Sequence, residues 1–316
     1  MMGVFIHPHT DVGLEVDGVD ICRGADPYIF HHDGQWNLLL QGDHRQDPLD
    51  HDGIRGYVLR RAPTIEDLRY APAINIQVGS QSDNLKQVWA AEIFDNYMYV
   101  AASRNGDNKT HRIYAYETNG NMIGPWRERG IVHGPPEDDS WAIDMSMADI
   151  PFNGKIERYA VWSGWETPDD EFPQNIYIAK AISPVEIGKR KMIAQPEGDW
   201  CTSVKPLLEG PQALVIDGEF RGLLVSGNAS WTEKYATRIL KFMGGDPMMR
   251  TSWKLVDQPF LPDNRGIAHG MMVEDNDKLF FIGHRKTSLE PGWHDRFIFY
   301  KEIEKENFLD YLDSVK

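Results

Sequence analysis

The sequence predicts an all-β fold, a five-bladed β-propeller, on three observations. One hairpin pattern recurs five times, its copies stand at near-constant spacing, and helical periodicity is almost absent. Each copy reads as a polar or small residue, an alternating apolar strand, a tight turn and a second strand rich in aromatic residues. The copies open at Asp26, Ala90, Asp144, Glu209 and His269, which lie 64, 54, 65 and 60 positions apart. Their turns contain Asp33-Gly34, Asp95-Asn96, Asn153-Gly154, Asp217-Gly218 and Asn276-Asp277. Tight hairpin loops need such residues because their central positions take positive φ.

Further strand-like runs lie between the hairpins: HRIYAYET (111–118), QNIYIAKAI (174–182), YATRILKF (235–242) and RFIFYKEI (296–303). With two hairpin strands and these additions, each unit has room for a four-stranded sheet. Five such sheets around an axis hide their edges against one another. A β-sandwich would not need turn signals at a nearly fixed interval. Only the tail KEIEKENFLDYLDS (301–314) has the spacing and charge of a short helix. No Ser/Gly linker or low-complexity stretch interrupts the pattern, so residues 1–316 read as one domain.

Composition narrows the function. Hydrophobic residues are 41% and charged residues 26% of the 316, the balance of a globular chain with a sizeable core. Disorder, collagen and coiled coil are excluded as descriptions of the whole. Lys plus Arg is 33 against Asp plus Glu 48, a net charge of −15. Such a surface repels phosphate backbones and anionic headgroups, so neither nucleic acid nor membrane is an expected partner. No stretch approaches the ~20 apolar residues of a membrane span, and MMGVFIHPHTDVG lacks the cationic start and apolar segment of a signal peptide. A cytoplasmic location is the expectation. Cys22 and Cys201, without a CxxC, read as packing residues. His7, His9, His31 and His32 lack an evident third ligand, and the runs Glu137-Asp138-Asp139 and Asp169-Asp170-Glu171 read as solvated loops.

In a propeller the innermost strand of each blade starts near the central channel, so the five opening residues should converge. Three of them, Asp26, Asp144 and Glu209, are acids, and His269 is a fourth polar group. An Asp before a strand often caps a turn. Three converging acids exceed what capping needs, because clustered charge is costly to desolvate. Glycoside hydrolysis uses such a set: one carboxyl stays protonated for the leaving oxygen while another, ionised, activates water. Carboxylate clusters also bind calcium, and both chemistries remain open at this point. Among ten tryptophans, Trp89 lies beside the second unit, Trp141 three residues before Asp144, and Trp162 and Trp165 just after the third hairpin. Their flat indole faces suit the apolar faces of sugar rings, which makes these four the candidate substrate contacts.

The stretches Ala25-Asp26-Pro27, Trp89-Ala90-Ala91-Glu92-Ile93, Ala142-Ile143-Asp144, Glu209-Gly210-Pro211 and Ala268-His269-Gly270 occur in the order and spacing of family-43 glycoside hydrolases. The chain resembles that family from about residue 20 to 300. It is most similar to the α-L-arabinofuranosidase and exo-arabinanase branch, through VWAAEIFDNYMYVAAS, HRIYAYET, GPWRERG, SWAID, AVWSGWE and QNIYIAK. The resemblance implies a five-bladed inverting enzyme. By motif, Asp26 is the general base, Glu209 the general acid, and Asp144 the residue that raises the acid's pKa and orients it. It implies that His269 lines the central channel, where many members hold a hydrated calcium or sodium ion, and that no organic cofactor is needed. Ala91 and Met145 stand where relatives usually have proline, a change of backbone stiffness rather than of chemistry. The implied activity is exo-acting release of terminal α-L-arabinofuranose from short arabino-oligosaccharides. A β-xylosidase or another family-43 specificity is the alternative within the class. A non-catalytic carbohydrate-binding propeller is the alternative outside it, and the three intact acids count against that.

Overall fold

The computed structural model describes residues 18–41, 56–78, 85, 87–167, 171–263, 265–293 and 295–315. Strand β1 (Val19–Arg23) comes first, followed by blades laid down in turn. Blade one holds β2 (Ala25–His32), β3 (Gln35–Gln41), β4 (Gly56–Ala62) and β5 (Ile74–Gln77). Blade two holds β6 (Ala91–Phe94), β7 (Tyr97–Ala102), β8 (Arg112–Glu117) and β9 (Arg127–Ile131). Blade three holds β10 (Ala142–Phe152), β11 (Lys155–Gly164) and β12 (Asn175–Ser183), with β13 (Glu186–Ile187) and β14 (Lys191–Ala194) both pairing β12. After the one-turn helix α1 (Asp199–Thr202), blade four holds β15 (Leu208–Ile216), β16 (Glu219–Gly227), β17 (Ala236–Phe242) and β18 (Trp253–Leu255). Blade five is built from β19 (Ala268–Asp275), β20 (Lys278–Lys286) and β21 (Arg296–Ile303), and α2 (Lys305–Ser314) follows. The inner strands touch around a closed ring: β2 with β6, β6 with β10, β10 with β15, β15 with β19, and β19 with β2. The fold is a five-bladed β-propeller.

The turns account for the hairpins. Asp33 and Gly34 take φ of 51° and 70°, Asn153 and Gly154 51° and 73°, Asp217 and Gly218 53° and 71°, and Asn276 and Asp277 48° and 67°. The four aromatic-rich runs become the third strands β8, β12, β17 and β21. The tail helix is shorter than its sequence pattern. Lys301 and Glu302 pair with Phe281 and Phe280 in the sheet, so the helix starts only at Lys305.

The ring closes with a strand that the hairpin repeat does not reveal. β1 pairs antiparallel with β21 and serves as the outer strand of blade five, with Val19 opposite Tyr300 and Cys22 opposite Ile298. Asp20 reinforces the closure by an ion pair of 2.8 Å with Arg285 on β20. The apolar core lies between blades, one cluster at each of the five interfaces. At the closing interface Ile21, Phe280 and Ile298 of blade five pack with Ile29, Trp36 and Leu38 of blade one. Both cysteines are free thiols, Cys201 buried and Cys22 half-buried.

Because Ile21 anchors the closing strand in that cluster, Ile21→Ala should lower stability by about 2–4 kcal/mol. Ile156→Ala, at a residue 67% exposed on β11, should stay within about 0.5 kcal/mol. Urea unfolding of both variants checks the pair; equal midpoints would mean that β1 does not carry the closure.

Candidate active site

Four inner strands share one irregularity at their first residues. In blades one, three, four and five the ladder shifts by one residue, between Ala25 and Tyr28, Ile143 and Ser146, Glu209 and Gln212, and Ala268 and Met271. Each shift is a β-bulge, which re-aims a side chain and frees a backbone amide from the ladder. The bulged residues Asp26, Asp144, Gly210 and His269 have φ of 50°, 53°, 57° and 48°. Asp and His are among the few residues besides glycine that accept this left-handed conformation readily. The blade-four equivalent of Asp26, Asp144 and His269 is therefore Gly210, and Glu209 stands one residue earlier than its motif suggested. In blade two Ala91 pairs Val100 without a bulge, and Ala90 carries no polar group to the centre.

Three of the bulged amides find side-chain acceptors near the carboxyls. Asp26 N–H donates to His284 Nδ1 at 3.3 Å, Gly210 N–H to Asp144 Oδ2 at 3.1 Å, and His269 N–H to Ser226 Oγ at 2.7 Å. Asp144 is thus held by the backbone of the blade that carries Glu209. An alanine Cβ at Gly210 would stand 3.2 Å from the His269 ring, so the glycine also keeps this approach open.

The three carboxyls face different surroundings. Asp26 is the most exposed at 13%, and Arg296 Nη1, His269 Nδ1 and His284 Nδ1 each stand 3.5 Å from its Oδ1. A buried guanidinium at that distance favours the ionised carboxylate. Glu209 has its pKa pushed up to about 7, first by burial and then by the charge of Asp26. Hydrogen bonds from Tyr235 and from Gln174 Nε2, the latter at 3.0 Å, hold the rise in check. Asp144 is pushed well above the usual carboxylate range by burial, then by Glu209, Asp26 and Glu92. Burial holds His269 and His284 below the ordinary imidazole pKa, so both are neutral near pH 7. The arrangement sets Asp26, beside a guanidinium, against Glu209, buried and with its pKa raised, within one cluster of carboxyls. Folding favours protonated Glu209, so its share of stability is complete below about pH 4.5 and is lost as pH rises through about 7.

Several site residues lay in quoted motifs without being singled out. Gln174, Tyr235 and Arg296 are the first residues of three of the four aromatic-rich runs, and each reaches a carboxyl. His111 opens the fourth and stacks on Trp89 at a centroid distance of 3.8 Å. A polar residue recurring at the head of each third strand is the signal that could have found them. Below the bulges, Glu92 of blade two, Ser146 of blade three and Gln212 of blade four are hydrogen-bonded across the axis. Burial pushes the Glu92 carboxyl well above the ordinary carboxylate range.

The four tryptophans part company. Trp89 is half-buried against His111. Trp141 and Trp165 are buried and stacked on each other at 4.5 Å and 7°, so their faces serve one another. Trp162, stacked on Tyr177, is buried too; it lines a cavity of about 330 Å³ between blades two and three with Arg112, His133, Asp138 and Arg190. Asp138 and Asp139 there pair with Arg190 and Arg112 rather than standing free in water. His31 is exposed, and His32 lies 3.0 Å from the Gly120 carbonyl through Nε2. His7, His9, Asp169 and Asp170 lie outside the described residues. Nδ1 of His269 faces Asp26 and the Tyr235 hydroxyl, each at 3.5 Å. Among the described residues no group of three His, Cys, Asp or Glu is placed to hold a metal. The protein groups alone do not fit an ion cage.

No protein-family profile matches the sequence, and no curated protein matches it. Solved structures do. An α-L-arabinofuranosidase from Lactobacillus brevis is 25% identical at a TM-score of 0.74, over 89% of this chain and 91% of that one. A thermostable family-43 glycoside hydrolase is 17% identical at a TM-score of 0.67, over 91% of each chain. An endo-arabinase from Bacteroides thetaiotaomicron is 14% identical at a TM-score of 0.65, over 92% of this chain and 98% of that one. Propeller and ordered motifs together define a glycoside hydrolase. These neighbours are consistent with the resemblance to glycoside hydrolase family 43 that the motifs carry.

The Tyr235 hydroxyl stabilises ionised Glu209, so its removal in Tyr235→Phe should raise the pKa of Glu209 further. The basic limb of kcat/KM against pH should then move to higher pH. A limb that stays in place or moves to lower pH would mean that Glu209 does not own it.

Proposed function

We propose that the protein is an inverting exo-hydrolase that removes terminal α-L-arabinofuranose from short arabino-oligosaccharides. The observation that carries the chemistry is the division of the carboxyl cluster, with Asp26 beside a guanidinium and Glu209 buried with its pKa raised to about 7. In this reading Asp26 accepts a proton from water as the water attacks the anomeric carbon. Glu209 gives its proton to the leaving oxygen. Asp144, bonded to the Gly210 amide, positions the backbone that carries Glu209. Glu92 and Gln212, hydrogen-bonded to each other, brace the floor beneath them.

Similarity to the Lactobacillus brevis α-L-arabinofuranosidase, at 25% identity, supports arabinofuranose as the sugar. Trp89 is the substrate contact of the four sequence candidates that keeps partial exposure. A calcium or sodium ion at His269 would be held by one imidazole and water, and no proton transfer is routed through it. β-Xylosidase activity is the second reading, favoured by similarity to a xylan β-1,4-xylosidase from Bacillus halodurans at 14% identity and a TM-score of 0.60, which covers 53% of that chain.

Asp26→Ala and Glu209→Ala should each lower kcat by about 10²- to 10⁴-fold with folding retained. Glu209→Ala should lose less on an aryl arabinofuranoside with a good leaving group, which needs little protonation. Proton NMR of the first product should show the β-anomer before mutarotation. An α-anomer, or full activity in both variants, would overturn the mechanism; release of xylose but not arabinose would overturn only the sugar.

A further inference from the structure

We propose that Trp231 and Trp293 form the leaving-group subsite, an aromatic corner that receives the apolar face of the sugar residue departing from the cleaved bond. This rests on the glycosidase reading above and adds where the second sugar sits. Trp231 belongs to the loop between β16 and β17, and Trp293 to the loop between β20 and β21. Both loops lie at the carboxyl end of the propeller, because Glu209 pairs Ser226 at the end of β16 and Ala268 pairs His284 near the end of β20. Trp293 is 50% exposed and Trp231 half-buried, with centroids 5.4 Å apart and planes tilted by 55°. The pair is tilted and stays partly open to solvent, unlike the sealed stack of Trp141 on Trp165.

The corner is wired to both catalytic carboxyls. Tyr235, four residues after Trp231 on the same loop, donates its hydroxyl to Glu209. The Trp293 carbonyl accepts from Arg296 Nε at 3.3 Å, and Nη1 of the same guanidinium stands 3.5 Å from Asp26. A general acid must protonate the leaving oxygen, so the departing sugar lies on the side of Glu209, and the β16–β17 loop is on that side. The loops are also held rigid. Gly292 N–H donates to the Trp231 carbonyl at 2.7 Å, and buried Lys286 donates through Nζ to the Gly292 carbonyl at 2.7 Å and to Asp295 Oδ1 at 2.5 Å. Thr287 N–H donates to the Asp295 carbonyl at 2.9 Å. Indoles carried on backbone fastened in this way offer large contact area with less entropy left to lose on binding. A neutral hydroxylated ring with one C–H face is the chemistry that fits them.

The test compares two substrates of one sugar. Methyl α-L-arabinofuranoside releases methanol, too small to reach the indoles, whereas α-1,5-arabinobiose places its second sugar on them. Wild type should prefer the disaccharide. In Trp293→Ala and Trp231→Ala, kcat/KM on the disaccharide should fall about tenfold or more beyond any loss on the methyl glycoside, and Trp293→Phe should recover most of that difference. Equal losses on both substrates, or none on the disaccharide, would overturn the subsite. If wild type cleaves xylobiose and not arabinobiose, only the sugar assignment fails and methyl xyloside with xylobiose carries the same comparison. A protein that cleaves no glycoside overturns both readings.

Discussion

The site depends on the β-bulge at the head of an inner strand. A regular antiparallel ladder would send successive side chains to the two faces of the blade, toward the neighbouring blades. One extra residue in left-handed conformation breaks that regularity at Asp26, Asp144, Gly210 and His269. It turns the carboxyls toward one another and releases amides that then fasten His284, Asp144 and Ser226. The conformation also narrows the residues allowed there, because β-branched and bulky side chains are strained at positive φ. Asp, His and Gly each satisfy that backbone conformation.

Desolvation does the next part of the work. The blades bury their apolar faces against neighbours at five interfaces, and Asp144, Glu209 and His269 at the heads of their inner strands are buried as well. There the same carboxyl group behaves in different ways. Glu209 and Asp144 lose most of their solvent and hold protons more tightly, while Asp26 keeps more exposure and has Arg296 beside it. Glu92, buried and pushed well above the ordinary carboxylate range, accepts a hydrogen bond from Gln212. Three acids packed together are tolerable because they are not all charged at once.

Aromatic residues divide between packing and recognition by the same criterion of access. Trp141, Trp162 and Trp165 are buried within the interface of blades two and three, where stacked indoles fill volume. Trp231 and Trp293 rise on loops at the carboxyl end, held by Lys286 and Asp295. Position along the chain does not separate the two groups, since Trp165 also lies just beyond its hairpin.

The sequence by itself determined the blades, their number and the general location of the carboxyls. Those features follow from local rules: alternation of apolar residues, Asp-Gly and Asn-Gly turns that demand positive φ, and a repeat spacing that any antiparallel blade must obey. Tertiary structure decided the rest. The closing strand β1 was illegible because a five-residue segment gains its meaning only from β21, nearly the whole chain away. The exact register of Glu209 against Gly210, the contacts of Gln174, Tyr235 and Arg296, and the burial of three of the four candidate tryptophans were illegible for the same reason. Each depends on which blade lies across the interface, and a side chain's pKa, partners and exposure are set by neighbours that share no local pattern with it.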